Sequence, residues 1–127
     1  MVLLKRFIAL GLLAAGVGFA PSALAQRVPR LRQGMSYTDA RQRLLDRGWQ
    51  PVVNPAMVNP TTTTPIVAYL LSQGYSELMG CQLMVGVDIC TFQFRNRKGH
   101  LLEIGTVNLL IFPGGTVTSW VLRKNSP

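Results

Sequence analysis

Histidine is nearly missing from this 127-residue chain: His100 is the only one, accompanied by two cysteines, Cys81 and Cys90, and five acidic residues. Each scarcity removes a class of chemistry. A zinc site needs several His, Cys or carboxylate ligands at close spacing, and no such group is written here. A hydrolase needs a base, a nucleophile and an orienting partner, whereas a lone histidine beside Gly99 in a turn reads as a solvated side chain. Asp39 and Asp46 lie seven apart on one predicted helix, but the first reads as a cap and the second as a solvated residue. Asp88 and Glu103 have no evident carboxylate partner. The cysteines lack the Cys-x-x-Cys spacing of a redox pair. These absences point away from an enzyme and from any metal or cofactor.

Long apolar runs are confined to the N-terminus. Lys5 and Arg6 precede an apolar run from Phe7 to Ala20, and Ala23-Leu24-Ala25 supplies small residues before Gln26. This is the layout of a secretory signal peptide over residues 1–25, cleaved near Ala25–Gln26. The run has fourteen residues before Pro21, short of the roughly 20 that span a bilayer as a helix. An uncleaved anchor is the alternative. No cysteine follows the cleavage motif, so a bacterial lipid anchor is not expected there. The expected location is periplasmic or secreted, with membrane contact only through the transient leader, and an oxidising compartment lets a disulfide persist.

Residues 26–127 amount to about one domain. Lys5 and Arg6 account for two of the 13 basic residues, leaving 11 against 5 acids, a formal charge of +6. Such a balance usually suggests nucleic acid, which export makes an unsuitable partner. An anionic envelope component or an acidic protein partner fits better, and plain solubility is the simplest reading of all.

Residues 26–34 form a basic lead-in with Arg27, Arg30 and Arg32, expected to be extended with an edge strand around Val28–Leu31. Ser36 and Asp39 then predict a capping box, and Tyr37, Ala40 and Leu44 an apolar helix stripe. Gly48 ends that helix, with Trp49 folding back on Leu44. Residues 51–64 are a Pro/Thr-rich loop, with a short strand expected at Val52-Val53. Thr64-Pro65 caps a second helix, Ile66 to Gln73, which ends at Gly74-Tyr75. The Leu-Leu-x-x-Gly-aromatic ends of the two helices match at an offset of 26, and a shared capping rule explains this better than duplication.

The clearest strand pattern lies between Cys81 and Val107. Cys90, Phe92 and Phe94 alternate with Thr91, Gln93 and Arg95, so one face is buried. Asn96 to His100 turns the chain, and Leu101 to Val107 returns it as an antiparallel hairpin. Cys81 and Cys90 flank a loop containing Gly86 and are expected to form a structural disulfide, with free thiols as the alternative. Asn108 to Phe112 carries further apolar residues, Pro113-Gly114-Gly115 turns, and Thr116 to Arg123 makes the last strand. In that strand Trp120 and Leu122 are expected on one face and Val117 and Val121 on the other. The predicted fold is α+β over residues 35–124: two short helices, then a three- to four-stranded antiparallel sheet, with one disulfide.

Val28-Pro29, Leu31, Gly34-Met35-Ser36, Ala40, Leu44 and Gly48 resemble the opening of a PASTA domain, the envelope module of penicillin-binding proteins and bacterial Ser/Thr kinases. The resemblance covers residues 28–53, with one extra residue before Gly34, and implies binding to cell-wall peptide or glycan fragments. The two-helix-plus-sheet layout also resembles the SmpA/OmlA outer-membrane assembly lipoproteins and the β-lactamase-inhibitor fold, although the lipidated cysteine of the former is lacking. The Gly-Trp helix end with paired cysteines is similar to small exported bacterial proteins of no assigned activity.

Arg43 and Arg47 are one helical turn apart, and Arg95, Arg97 and Lys98 crowd the predicted hairpin turn. With Trp49 they form the candidate ligand or partner surface. The simpler reading is a solvated face with an Asp39–Arg43 pair, and Trp49, Tyr75 and Trp120 as cap and core residues rather than a binding set. The expected function is a non-enzymatic, exported binding or interaction module of the bacterial envelope, with peptidoglycan one candidate ligand. The alternatives are a secreted inhibitor of a lysozyme- or β-lactamase-type hydrolase, and an outer-membrane assembly accessory.

Overall fold

Ser36 starts the first helix as its side chain predicts. In the computed structural model, which describes residues 27–61, 63–109 and 114–124, Ser36 Oγ accepts the Asp39 N–H at 3.1 Å. Helix α1 runs Tyr37–Asp46. Beyond it Gly48 takes φ 86, its N–H returns to the Leu45 carbonyl at 3.1 Å, and the Trp49 N–H returns to Leu44 at 3.0 Å. That pair of bonds is a Schellman cap. Helix α2, Pro65–Ser72, repeats the arrangement. Thr64 Oγ1 accepts the Val67 N–H at 3.4 Å, and Gly74 and Tyr75 return to Leu71 and Leu70 at 3.0 and 3.2 Å. The matching helix ends are one capping solution used twice.

The strands are β1 (Gln50–Pro51), β2 (Leu78–Met84), β3 (Val87–Arg95), β4 (Leu101–Leu109) and β5 (Thr116–Arg123), in one five-stranded antiparallel sheet. The fold is α+β, with one strand more than expected. Five strands fill four positions, because β1 pairs with the Phe94–Arg95 end of β3 and β2 with the rest of that same edge. Phe92 faces Ile104 and Phe94 faces Leu102 across the β3–β4 ladder. All four are fully buried with Tyr37, Ala40, Leu44 and Leu70 from the helices. Each buried Phe, Leu or Ile among them contributes roughly 1.5–3 kcal/mol by leaving water.

Cys81 and Cys90 are bonded and stand opposite one another in the β2–β3 ladder, with Cα atoms 4.1 Å apart. Closing a segment of this length stabilises the fold by about 2–3 kcal/mol in the chain-entropy account. The segment between them is a hairpin rather than the expected loop, turning at Val85-Gly86 with Gly86 at φ 81. A bulge between Leu78 and Gly80 breaks the period of two, which hides β2 in the sequence.

A second bulge corrects the expected faces of β5. The register shifts between Gly105 and Thr106, so Thr106 meets Val117 while Ile104 meets Trp120 and Leu102 meets Leu122. One extra residue thus brings Val117 and Trp120 to the same side, where both pack against the core. The expected edge strand at Val28–Leu31 does not form. The lead-in instead joins the core through Leu31, with Val28 packed against it. Gly34 N–H donates to the Val117 carbonyl at 2.7 Å, and Val117 N–H to that of Met35 at 2.8 Å. The short strand expected at Val52-Val53 lies two residues earlier, as β1. Residues 1–25 with the cleavage site, and Leu110 to Pro113 of the expected apolar run and turn, lie outside the described residues.

Gly115 shows where the β4–β5 connection is constrained. It adopts φ 78, and a Cβ there would stand 2.7 Å from Nδ2 of Asn108, a side chain buried at 1% exposure. Gly114 has open space around the same position. Gly115→Ala is expected to lower stability by about 2 kcal/mol and Gly114→Ala by less than about 0.5 kcal/mol. Urea denaturation of both variants measures the difference.

Candidate functional site

Glu77 is the side chain that sequence reasoning missed. It follows the Gly74-Tyr75 helix end and is fully buried. Its Oε1 accepts the Tyr37 hydroxyl at 2.8 Å and the Arg41 Nε at 2.6 Å. Its backbone carbonyl takes the Gln93 N–H at 3.1 Å. Arg41 also lies over the Tyr75 ring, 5.0 Å from its centroid, and the Tyr75 hydroxyl bonds Thr38 Oγ1 at 2.9 Å. Tyr37 stacks on Phe92 with centroids 3.8 Å apart. Glu77 Oε2 is buried with no partner among the described residues. The signal in the sequence is faint: an acid between a helix end and a strand, with no basic residue within four positions.

These contacts shape the proton affinities. Burial, then the charge and hydrogen bond of Glu77, hold the Tyr37 phenol well above its ordinary value of 10.0. Burial pulls the Arg41 guanidinium down, and the hydrogen bond and charge of Glu77 outweigh it, so Arg41 is held above its ordinary value. The cluster joins α1 to the sheet.

The sequence-predicted surface residues divide. Gln50 pairs with Arg95, Arg95 with Leu101, and Leu101 with Arg123. The topology therefore collects Arg95, Arg97, Lys98, Arg123 and Lys124 at one end of the sheet, with Arg47 on the short connection leading into β1. All six are exposed. Glu103 lies among them and pairs with Arg123 at 2.9 Å. Arg43 is turned away from Asp39: its Nη1 donates to the Arg30 carbonyl at 2.8 Å. Trp49 is corrected from the candidate surface to the core, being 2% exposed with its indole N–H on the Arg27 carbonyl at 3.1 Å. His100 closes the hairpin turn through its backbone, N–H to Asn96 Oδ1 at 2.9 Å.

At the opposite end of the sheet a cavity of about 410 Å³ opens between the start of α2, the tip of β2 and the end of β4. Asp88 lines it. Among the described residues no helix is long and apolar enough to cross a membrane. Compared with known protein families, characterised protein sequences and solved structures, the chain shows no match.

Tyr37 gives a test of the buried cluster. An unfolded tyrosine ionises near its ordinary value of 10.0, while folded Tyr37 keeps its proton above it. The folded state then holds one proton more, so stability is intact below that pH and falls as pH rises through it, by about 1.4 kcal/mol per pH unit. Tyr37→Phe is expected to lack this component. Denaturation midpoints of both proteins measured across the alkaline range check it; parallel slopes would show that Tyr37 is not held protonated.

Proposed function

We propose that the chain is an exported, non-enzymatic binding module of the bacterial envelope that engages an anionic partner through the cationic end of its sheet. The supporting observation is the register that places Arg95 and Arg123 across one sheet end, with Arg97, Lys98 and Lys124 beside them. Cations grouped on a rigid frame attract an anionic surface more strongly than the same charges scattered, and the attraction weakens as salt screens it. The disulfide fits an oxidising compartment outside the cytoplasm. Peptidoglycan, with its anionic peptide stems, is the candidate ligand carried by the resemblance at residues 28–53.

Co-sedimentation of the mature protein with purified sacculi tests this reading. Retention is expected at low ionic strength, falling at least tenfold in an Arg95→Ala/Lys98→Ala/Lys124→Ala variant and with added salt. Absence of retention at low salt would remove it.

Inhibition of a hydrolase is the second reading, supported by the stapled β2–β3 hairpin. Its tip exposes Leu83 at 58%, Met84 at 54% and Val85 at 105%, and a rigid apolar tip suits insertion into an enzyme cleft. Near-stoichiometric inhibition of a lysozyme or β-lactamase, lost in Val85→Glu, would select this reading over the first.

A further inference from the structure

The inner face of β3 carries Asp88, Cys90, Phe92 and Phe94, three core residues and one acid. Asp88 is only 9% exposed, and among the described residues it makes no ion pair and no side-chain hydrogen bond. What Asp88 does have is access to the cavity of about 410 Å³, whose other walls include Ile66, Tyr69, Leu83, Met84 and Leu109. Among the described residues it is the one charged side chain in that lining. The volume falls within the range of small-molecule sites, which are mostly apolar with a few polar groups fixing orientation.

We propose that this cavity binds an aliphatic primary amine, its ammonium group on the Asp88 carboxylate and its hydrocarbon stem along Ile66, Tyr69 and Leu109. The charge pattern selects the class. A carboxylate on an apolar wall repels anions and gains little from a neutral alcohol, whereas an ammonium brings several N–H donors to an unpaired acceptor. Bonds of that kind strengthen where water is excluded. The site is independent of the cationic sheet end: Asp88 and Arg95 stand toward opposite ends of β3, so one can fail without the other.

Titration of the mature protein with n-octylammonium chloride, n-octanol and sodium octanoate, each below its micelle-forming concentration and followed by NMR, tests the assignment. The amine is expected to bind at least tenfold more tightly than the alcohol, with octanoate weakest, and to shift the resonances of Ile66, Tyr69 and Leu83. Asp88→Asn is expected to bring the amine down to the affinity of the alcohol while leaving the alcohol unchanged. Equal affinity of the native chain for amine and alcohol, absence of binding, or a preference that survives Asp88→Asn would each overturn the proposal. The comparison on the native chain decides even if the variant fails to fold.

Discussion

The buried carboxylate of Glu77 constrains the arrangement of everything around it. Taking a carboxylate out of water costs several kcal/mol unless its charge is met, and here one helix meets it twice, through Tyr37 and Arg41. Sliding α1 by a single turn would strand the acid. The apolar stripe of α1 would tolerate such a slide far better, because hydrophobic contact has little directionality. The backbone of Glu77 is fixed independently by Gln93 on β3. The start of α1 is already held to β5 and its approach by backbone bonds of Gly34, Met35 and Tyr37, and the ion pair adds a side-chain tie one turn further along the helix. Stacking of Tyr37 on Phe92 gives the same junction an apolar counterpart.

Much of this frame is legible in the residues. Ser36, Thr64, Gly48 and Gly74 mark both helices because capping chemistry is local and uses few residue types. The β3–β4 hairpin is plain because its alternation runs unbroken from Cys90 to Arg95. Legibility ends where a bulge interrupts the period, at Leu78–Gly80 and again opposite Gly105. Long-range pairing is the other limit. Nothing within a few positions of Glu77 announces Tyr37 and Arg41, forty and thirty-six residues away. The unpaired state of Asp88 is likewise a property of three chain segments meeting. Trp49 failed as a surface residue for a simple reason: a Schellman cap that folds an aromatic ring back on its helix also directs it inward.

The sheet is polarised along its strands. One end gathers arginines and lysines on short turns, where their long stems reach water. The other ends in apolar side chains around a single acid. A nine-residue strand such as β3 separates these two environments by roughly 25–30 Å, well beyond the Debye length at physiological salt, about 8 Å. Each end therefore presents its own field to a partner with little cancellation from the other.

Because β1 and β2 share one edge of β3, the polypeptide linking them leaves the sheet and rejoins it almost where it left. Asn54 pins the departure, its amide donating to the Leu78 and Met79 carbonyls at 3.1 and 3.2 Å, and Thr64 pins the return as the cap of α2. In the span between them Met57 packs against the core, and Val58 just beyond it stands exposed. Loop-closure entropy grows only logarithmically with length, so exposed Val58 is the natural insertion point of this span. A guest domain spliced there, or new termini opened by circular permutation, would leave the helices and the stapled hairpin undisturbed.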